Sequence, residues 1–191
     1  LRDSIGLGKG TVTLEDFDIA DAIFSFGHNP GTNHPRMLGT LREVSRRGGN
    51  IVAINPLKER GLERFQDPQA AVEMMTNGST PISRYYFQPN VGGDYALMFG
   101  MLKHLREWDI QALAAGKKSV FDRSFIEMNT VGFDAMMEEI DRTAWSDIHT
   151  HTGLSPEHLE SLAKMYLDAK TAIFCWGMGI TQHRHGTANV H

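Results

Sequence analysis

Residues 27–35 read GHNPGTNHP and directly follow the apolar run DAIFSF. Two Gly, two Pro, two His and two Asn make a polar loop. Ahead of a helix, its backbone N–H groups can cradle a phosphate or pyrophosphate without any Lys or Arg. Three further segments also follow apolar runs: NPLKER from Asn55, PNVGGD from Pro89 and GMGITQHRHG from Gly177. Asp94, which ends PNVGGD, has two carboxylate oxygens that can accept the N1–H and amino group of a guanine. It can equally cap the helix that it opens. The pairs His149/His151 and His183/His185 invite a metal reading. Side chains two residues apart point alike only on a strand, and neither pair falls on one, so they read as solvated loop histidines. Cys175 lies inside an apolar run, where a free cysteine is a small core residue rather than a metal ligand.

The elements that must position these residues follow from periodicity. Residues 21–26 form a short continuous apolar run closed by a glycine, the pattern of a strand buried on both faces of a parallel sheet. Pro35 suits the first turn of a helix whose Met37, Leu38, Leu41 and Val44 recur at helical spacing until Gly48 and Gly49. NIVAINP is a second buried strand ending at Asn55 and Pro56, which completes a right-handed βαβ unit. RYYFQ reads as a third strand, and YALMFGMLKHLREW as a long helix with Leu97, Met101, Leu102 and Leu105 on one face. FDRSFIEMN, FDAMMEEID and SPEHLESLAKMYLDA are further helices, the last opened by Ser155 and Pro156. TAIFCWG is a fourth buried strand. It repeats DAIFSFG as [DT]-A-I-F-x-[FW]-G, and glycine at both strand ends permits close approach to a ligand. In doubly wound sheets ligands sit at the carboxyl ends of strands where the strand order reverses, so these two loops are expected to wall the crevice. Thr13 with Asp16 starts a short helical turn through LEDFDIA. The earlier glycines of IGLGKG have no strand before them and carry no dinucleotide fingerprint.

Composition narrows the function classes. With 19 basic against 23 acidic residues and a net charge of −4, the chain lacks the basic excess of a nucleic-acid binder. No apolar stretch nears the roughly 20 residues of a membrane span, so no membrane segment and a cytoplasmic location are expected. One cysteine in 191 residues makes no internal disulfide and cannot hold an iron–sulfur cluster. The expected fold is α/β, a three-layer αβα Rossmann-like domain with a mainly parallel sheet. A nucleotide-binding or protein-interaction module without redox chemistry is the alternative, but its G-x-G-x-x-G hallmark is replaced by GHNPGTNHP.

FGHNPGTNHP, IVAINP, GGDYALMFGMLKHL, FIEMNTVGF and WGMGITQHRHGTANV, in this order and spacing, resemble the molybdopterin oxidoreductases of the formate dehydrogenase and dimethyl sulfoxide reductase group. GKGTVTLEDF and NPGTNHPRMLGTLRE resemble its alpha-subunit-type, formate-dehydrogenase-like branch. The resemblance implies that residues 1–191 are one molybdopterin guanine dinucleotide-binding domain of a larger enzyme. That parent would carry two such dinucleotides (bis-MGD) around Mo or W and would perform a two-electron oxidation of formate or a similar small substrate. It also implies that Gly27, His28, Asn29, Thr32 and His34 line the dinucleotide near its phosphates. Asn55, Pro56 and Leu57 would flank the guanosine, and Asp94 after Gly92 and Gly93 would read the guanine. Gly177, Met178, Gly179, Gln182 and His183 would approach the pterin. The family's Asp-Pro-Arg is here Asn55, Pro56 and Leu57, and its Arg-Pro-Gly-Thr-Asp is here Gln88 to Asp94 with one extra residue. The metal-ligating Cys, selenocysteine or Ser and the iron–sulfur cysteines of the family lie upstream of such a segment, and an active-site Arg lies downstream. By the same resemblance no catalytic residue or metal ligand falls within the segment, and the fragment alone is inactive. The partners implied are the remaining domains of the parent chain, a small-molecule substrate and an electron-transfer protein.

Overall fold

The structure, a computed structural model, describes residues 2–191. Its strands are β1 (Ala22–Phe26), β2 (Asn50–Ile54), β3 (Arg64–Phe65), β4 (Thr80–Pro81), β5 (Tyr85–Phe87) and β6 (Ala172–Trp176). The helices of the first half are α1 (Arg2–Ile5), α2 (Leu14–Ile19), α3 (Pro30–Asn33), α4 (Met37–Arg46), α5 (Arg60–Glu63) and α6 (Ala71–Thr76). Those of the second half are α7 (Asp94–Ala114), α8 (Arg123–Asn129), α9 (Phe133–Arg142), α10 (Trp145–Thr152), α11 (Pro156–Asp168), α12 (Met178–Thr181) and α13 (Gly186–Val190). The fold is mixed α/β. The chain divides into two compact units: a sheet unit, formed by the chain up to Val91 together with Ala169–His191, and a helical unit, Gly92–Asp168.

The sheet unit holds a four-stranded parallel sheet in the order β5-β2-β1-β6. β1 is central and its five residues are all buried, as a continuous apolar run between two parallel neighbours requires. Its inward cluster contains Ile23, Leu41, Val44, Ile51, Leu62 and Ile173, with Leu41 and Val44 supplied by the apolar face of α4. The helical start at Thr13 is present: the Asp16 carboxylate accepts the Thr13 N–H at 2.6 Å. One feature was not legible from periodicity: a two-stranded antiparallel sheet, β3 with β4, interrupts the link from β2 to β5. The helical pattern around AAVEMM is present as α6, which buries none of its side chains and is held by Glu73, which accepts from Arg42 at 2.7 Å and Arg46 at 2.8 Å. The backbone N–H of Asp67, first, and the Arg42 guanidinium, second, pull the Glu73 carboxyl down to about 2.

Three expectations are corrected. Pro35 does not open a helix; it lies in the turn between α3 and α4, where its carbonyl accepts the Leu38 N–H at 3.1 Å. In this loop the proline that starts a helix is Pro30, the first residue of α3, where the Asn29 side chain caps the helix by accepting the Thr32 N–H at 3.0 Å. β6 is not fully buried, because it is an edge strand: Phe174 is 39% and Trp176 40% exposed. His149 and His151 lie on α10, not a loop, and the His149 ring stacks on Trp145 at 5.5 Å.

In the helical unit, α7 packs against α9, α10 and α11. Of its expected apolar face, Leu97, Met101 and Leu105 are buried, while Leu102 is only partly so. Asp109, fully buried, accepts from Val120 N–H at 2.8 Å and from Arg123 at 2.6 Å and is bonded by the Ser119 hydroxyl. Burial alone would raise its pKa, but these donors outweigh it and hold the carboxyl low. Among the described residues no helix is long and apolar enough to cross a membrane.

Candidate functional site

All four strands of the main sheet are parallel, so their carboxyl ends share one edge. The ladder continues past the strands into the loops. Gly27 N–H donates to Ile54 C=O at 2.9 Å, Asn55 N–H to Phe87 C=O at 3.0 Å and Gly177 N–H to Phe26 C=O at 3.1 Å. These bonds fix the first residue of three tips. The strand order reverses between β1 and β6, which places the switch point where Gly27 meets Gly177 and Gly179.

The glycines there are required by one another. Gly27 has φ +49°, and a Cβ on it would lie 2.9 Å from Gly179 Cα. A Cβ on Gly179 would lie 2.7 Å from Gly27 Cα, and one on Gly177 would lie 2.8 Å from the Gly27 oxygen. Backbone therefore packs on backbone at the β1 and β6 tips, and Gly179 N–H donates to Gly27 C=O at 3.1 Å. The reason for glycine is loop against loop, not only loop against ligand.

Beyond this junction His28 is buried, its Nε2 3.0 Å from Nδ1 of the exposed His34. Burial first, and the neighbouring His34 second, lower the His28 pKa. Asn29 caps α3 with its oxygen and donates from Nδ2 to Glu59 at 2.6 Å. Thr32 and His34 lie on the exposed side of the loop. At the β2 tip Asn55 is buried, Pro56 C=O accepts from Gln88 at 2.9 Å, and Leu57 is 69% exposed. At the β6 tip Met178 is 61% exposed, and Gln182 follows α12. His183 Nε2 lies 3.0 Å from Asn189 Nδ2, and its Nδ1 accepts the His185 N–H at 3.3 Å. Gly92, Gly93 and Asp94 belong to the helical unit, where Gly92 has φ +83°, Gly93 caps α7 and Asp94 is the buried first residue of that helix.

Sequence reasoning missed the groups that brace these tips. The Tyr86 hydroxyl donates to Leu57 C=O at 2.7 Å and accepts the Glu59 N–H at 2.9 Å. Burial, the leading cause, raises its pKa and keeps it protonated. Gly61 packs on Gly31, where a Cβ would come within 2.8 Å of Cα; a glycine inside a short helix is its one local signal. Tyr86 and Glu59 had none, being joined across 27 residues.

The tips share an electrostatic character. None of residues 27–35, 55–58, 88–91 or 177–185 is Asp or Glu, although the chain holds 23 of them. Glu59, next to the β2 tip, is engaged by Asn29. With Lys58 and Arg184 also in these ranges, an edge rich in amide, imidazole, backbone and cationic donors suits an anion. Among the described residues no group of three or more His, Cys, Asp or Glu could hold a metal ion. A family model described as molybdopterin oxidoreductase matches residues 4–191.

The chain belongs to that family.

It is 51% identical over 190 residues to protein YdeP of Escherichia coli, covering all of this chain and 25% of that protein. It is 26% identical over 190 residues to formate dehydrogenase H of Escherichia coli, again over the whole chain and 23% of the relative. Among solved structures, acetylene hydratase from Pelobacter acetylenicus superposes with a TM-score of 0.69 at 16% identity, over 91% of this chain and 20% of that one. The last likeness shows the fold. The chain thus spans about a quarter of the length of the curated relatives it matches. Family membership implies a molybdopterin cofactor with Mo or W, and the donor-rich edge fits the anionic part of such a group.

Proposed function

We propose that the carboxyl edge of the sheet binds the guanine dinucleotide form of molybdopterin, and that residues 1–191 serve as one dinucleotide-binding domain of a larger oxidoreductase. The observation that carries this reading is the single edge on which four polar strand tips converge, braced at β1 and β6 by glycine backbone contact. Gly27, His28, Asn29, Thr32 and His34 bind the phosphates, with Gly177, Met178, Gly179, Gln182 and His183 beside them toward the pterin. Asn55, Pro56 and Leu57 flank the guanosine, and Asp94 after Gly92 and Gly93 accepts from the guanine edge. When bound, the pterin and its metal supply two-electron redox chemistry; this chain binds and orients them. The parent acts on formate or a similar small molecule in the cytoplasm and passes electrons through an iron–sulfur cluster to a protein partner.

The test is chemical. The full-length parent is purified, its metal measured by mass spectrometry, and its cofactor cleaved with phosphodiesterase to release the nucleotide. The reading expects GMP, with Mo or W in proportion; a pterin without GMP overturns the dinucleotide assignment. Formate-dependent dye reduction by the same preparation tests the substrate separately, and its absence removes formate alone.

A further inference from the structure

The contact between His28 and His34 is asymmetric, and the asymmetry decides where the protons sit. His28 is 6% exposed, and its Nδ1 is buried with no hydrogen-bond partner among the described residues. Its Nε2 lies 3.0 Å from His34 Nδ1. Of two facing neutral imidazole nitrogens, one carries the hydrogen and the other a lone pair. Were His34 the donor, His28 would carry its proton on Nδ1, a buried N–H with no acceptor, which is rarer in folded proteins than an unpaired acceptor. With His28 donating from Nε2, its buried Nδ1 holds only a lone pair. His34 must then hold its proton on Nε2, the nitrogen turned away from His28, in a side chain on the exposed part of the loop.

We propose that His28 is a positioning residue that locks His34 as the neutral Nε2–H tautomer, so that His34 donates to the phosphate oxygens of a nucleoside diphosphate group. This rests on the dinucleotide reading above and adds to it how His34 recognises the anion: as an oriented neutral donor, not as an imidazolium. A second proton on His34 would occupy Nδ1 and set N–H against the His28 N–H. Burial first, and His34 second, lower the pKa of His28, which agrees with a neutral His28. The elements packed around the pair leave this arrangement undisturbed. From β6 the neighbour of His28 is the Gly177 backbone, and α12 has no ionisable side chain. On α5 the charged groups are Glu59 at its cap, which is held by Asn29, with Arg60 and Glu63. On α4, Arg36 precedes the first turn, and Arg42, Glu43 and Arg46 pair among themselves and with Glu73.

The consequence is that phosphate affinity of the unaltered chain stays level from about pH 6 to 8, across the ordinary imidazole range. Cofactor-free full-length parent is titrated by calorimetry with GDP-mannose, a pyrophosphate diester with no terminal phosphate to ionise between about pH 6 and 8, in buffers of different ionisation enthalpy. The unaltered chain binds without net proton uptake. His28→Leu frees His34 Nδ1, so binding takes up protons at the acid end and weakens about tenfold toward pH 8. His28→Gln, whose amide N–H can donate to His34 Nδ1, restores the level profile. Uptake of about one proton per ligand by the unaltered chain, or a level profile in His28→Leu, overturns the inference while leaving the dinucleotide reading intact. If His28→Leu does not fold, the proton count on the unaltered chain and on His28→Gln decides. Failure of the unaltered chain to bind GDP-mannose overturns both.

Discussion

β1 and β6 carry nearly the same letters, AIFSF and AIFCW, and pair with each other in register: Ala22 opposite Ala172, Ile23 opposite Ile173, Phe24 opposite Phe174 and Phe26 opposite Trp176. The rings follow, Phe24 stacking on Phe174 at 5.0 Å. Yet Phe24 is fully buried and Phe174 is 39% exposed. Identical side chains thus have different surroundings because β1 has a strand on each side and β6 has one. Local sequence decides that a strand forms and how it registers. Its rank in the sheet decides how much it buries.

The comparison can be broken most severely where the two strands end. Gly179→Val in the parent places a branched side chain where a Cβ would lie 2.7 Å from the Gly27 backbone. A loss of about 3 kcal/mol or more is expected in denaturant unfolding, with loss of bound cofactor. Unchanged stability would mean that the tips are not in contact.

Truncating the paired rings sharpens the contrast in burial. Phe24→Ala is expected to cost about 3 to 5 kcal/mol, and Phe174→Ala about half of that, by the same unfolding measurement. Equal costs would show that another part of the parent covers β6.

A third measurement uses the pair in the middle of the ladder, Ser25 opposite Cys175. Burial pushes the Cys175 thiol up to about 11. Alkylation by iodoacetamide is therefore expected to be slow at pH 8 and to accelerate as pH rises toward 11, since the thiolate is the nucleophile. A folded-state pKa raised above its unfolded value adds stability that is present below the unfolded pKa and is lost as pH climbs through about 11. Fast alkylation at neutral pH would place Cys175 in water.

The smallest effect reverses sign. Ser25 is 1% exposed, and its hydroxyl has no hydrogen-bond partner among the described residues. Ser25→Ala is expected to be neutral or to stabilise by about 0.5 to 1 kcal/mol, read as a small rise in melting temperature. A loss of stability would reveal an unseen partner.

Much of the architecture was legible along the chain. The run in β1, the spacing in α4 and α7, and Ser155 with Pro156 at the start of α11 each depend on residues within one or two turns of one another. The polar tips were legible too, since Gly, Asn and His after an apolar run are unusual for a mere turn. Pro35 misled because the side chain of Asn29 competes for the start of the helix, a contact that proline spacing does not encode. His149 misled because α10 lacks a clean apolar stripe: among WSDIHTHT only Ile148 and Thr152 are buried.

From residue order alone came the parallel α/β class, the repeated strand motif and the four polar loops, because these depend on side-chain type and near neighbours. Tertiary structure alone decided that Gly27 and Gly179 must both be glycine, that Tyr86 braces Leu57 and Glu59, and that β6 lies at the edge. Gly27 and Gly179 are separated by about 150 residues, and a contact of that kind exists only after the sheet has brought their strands side by side.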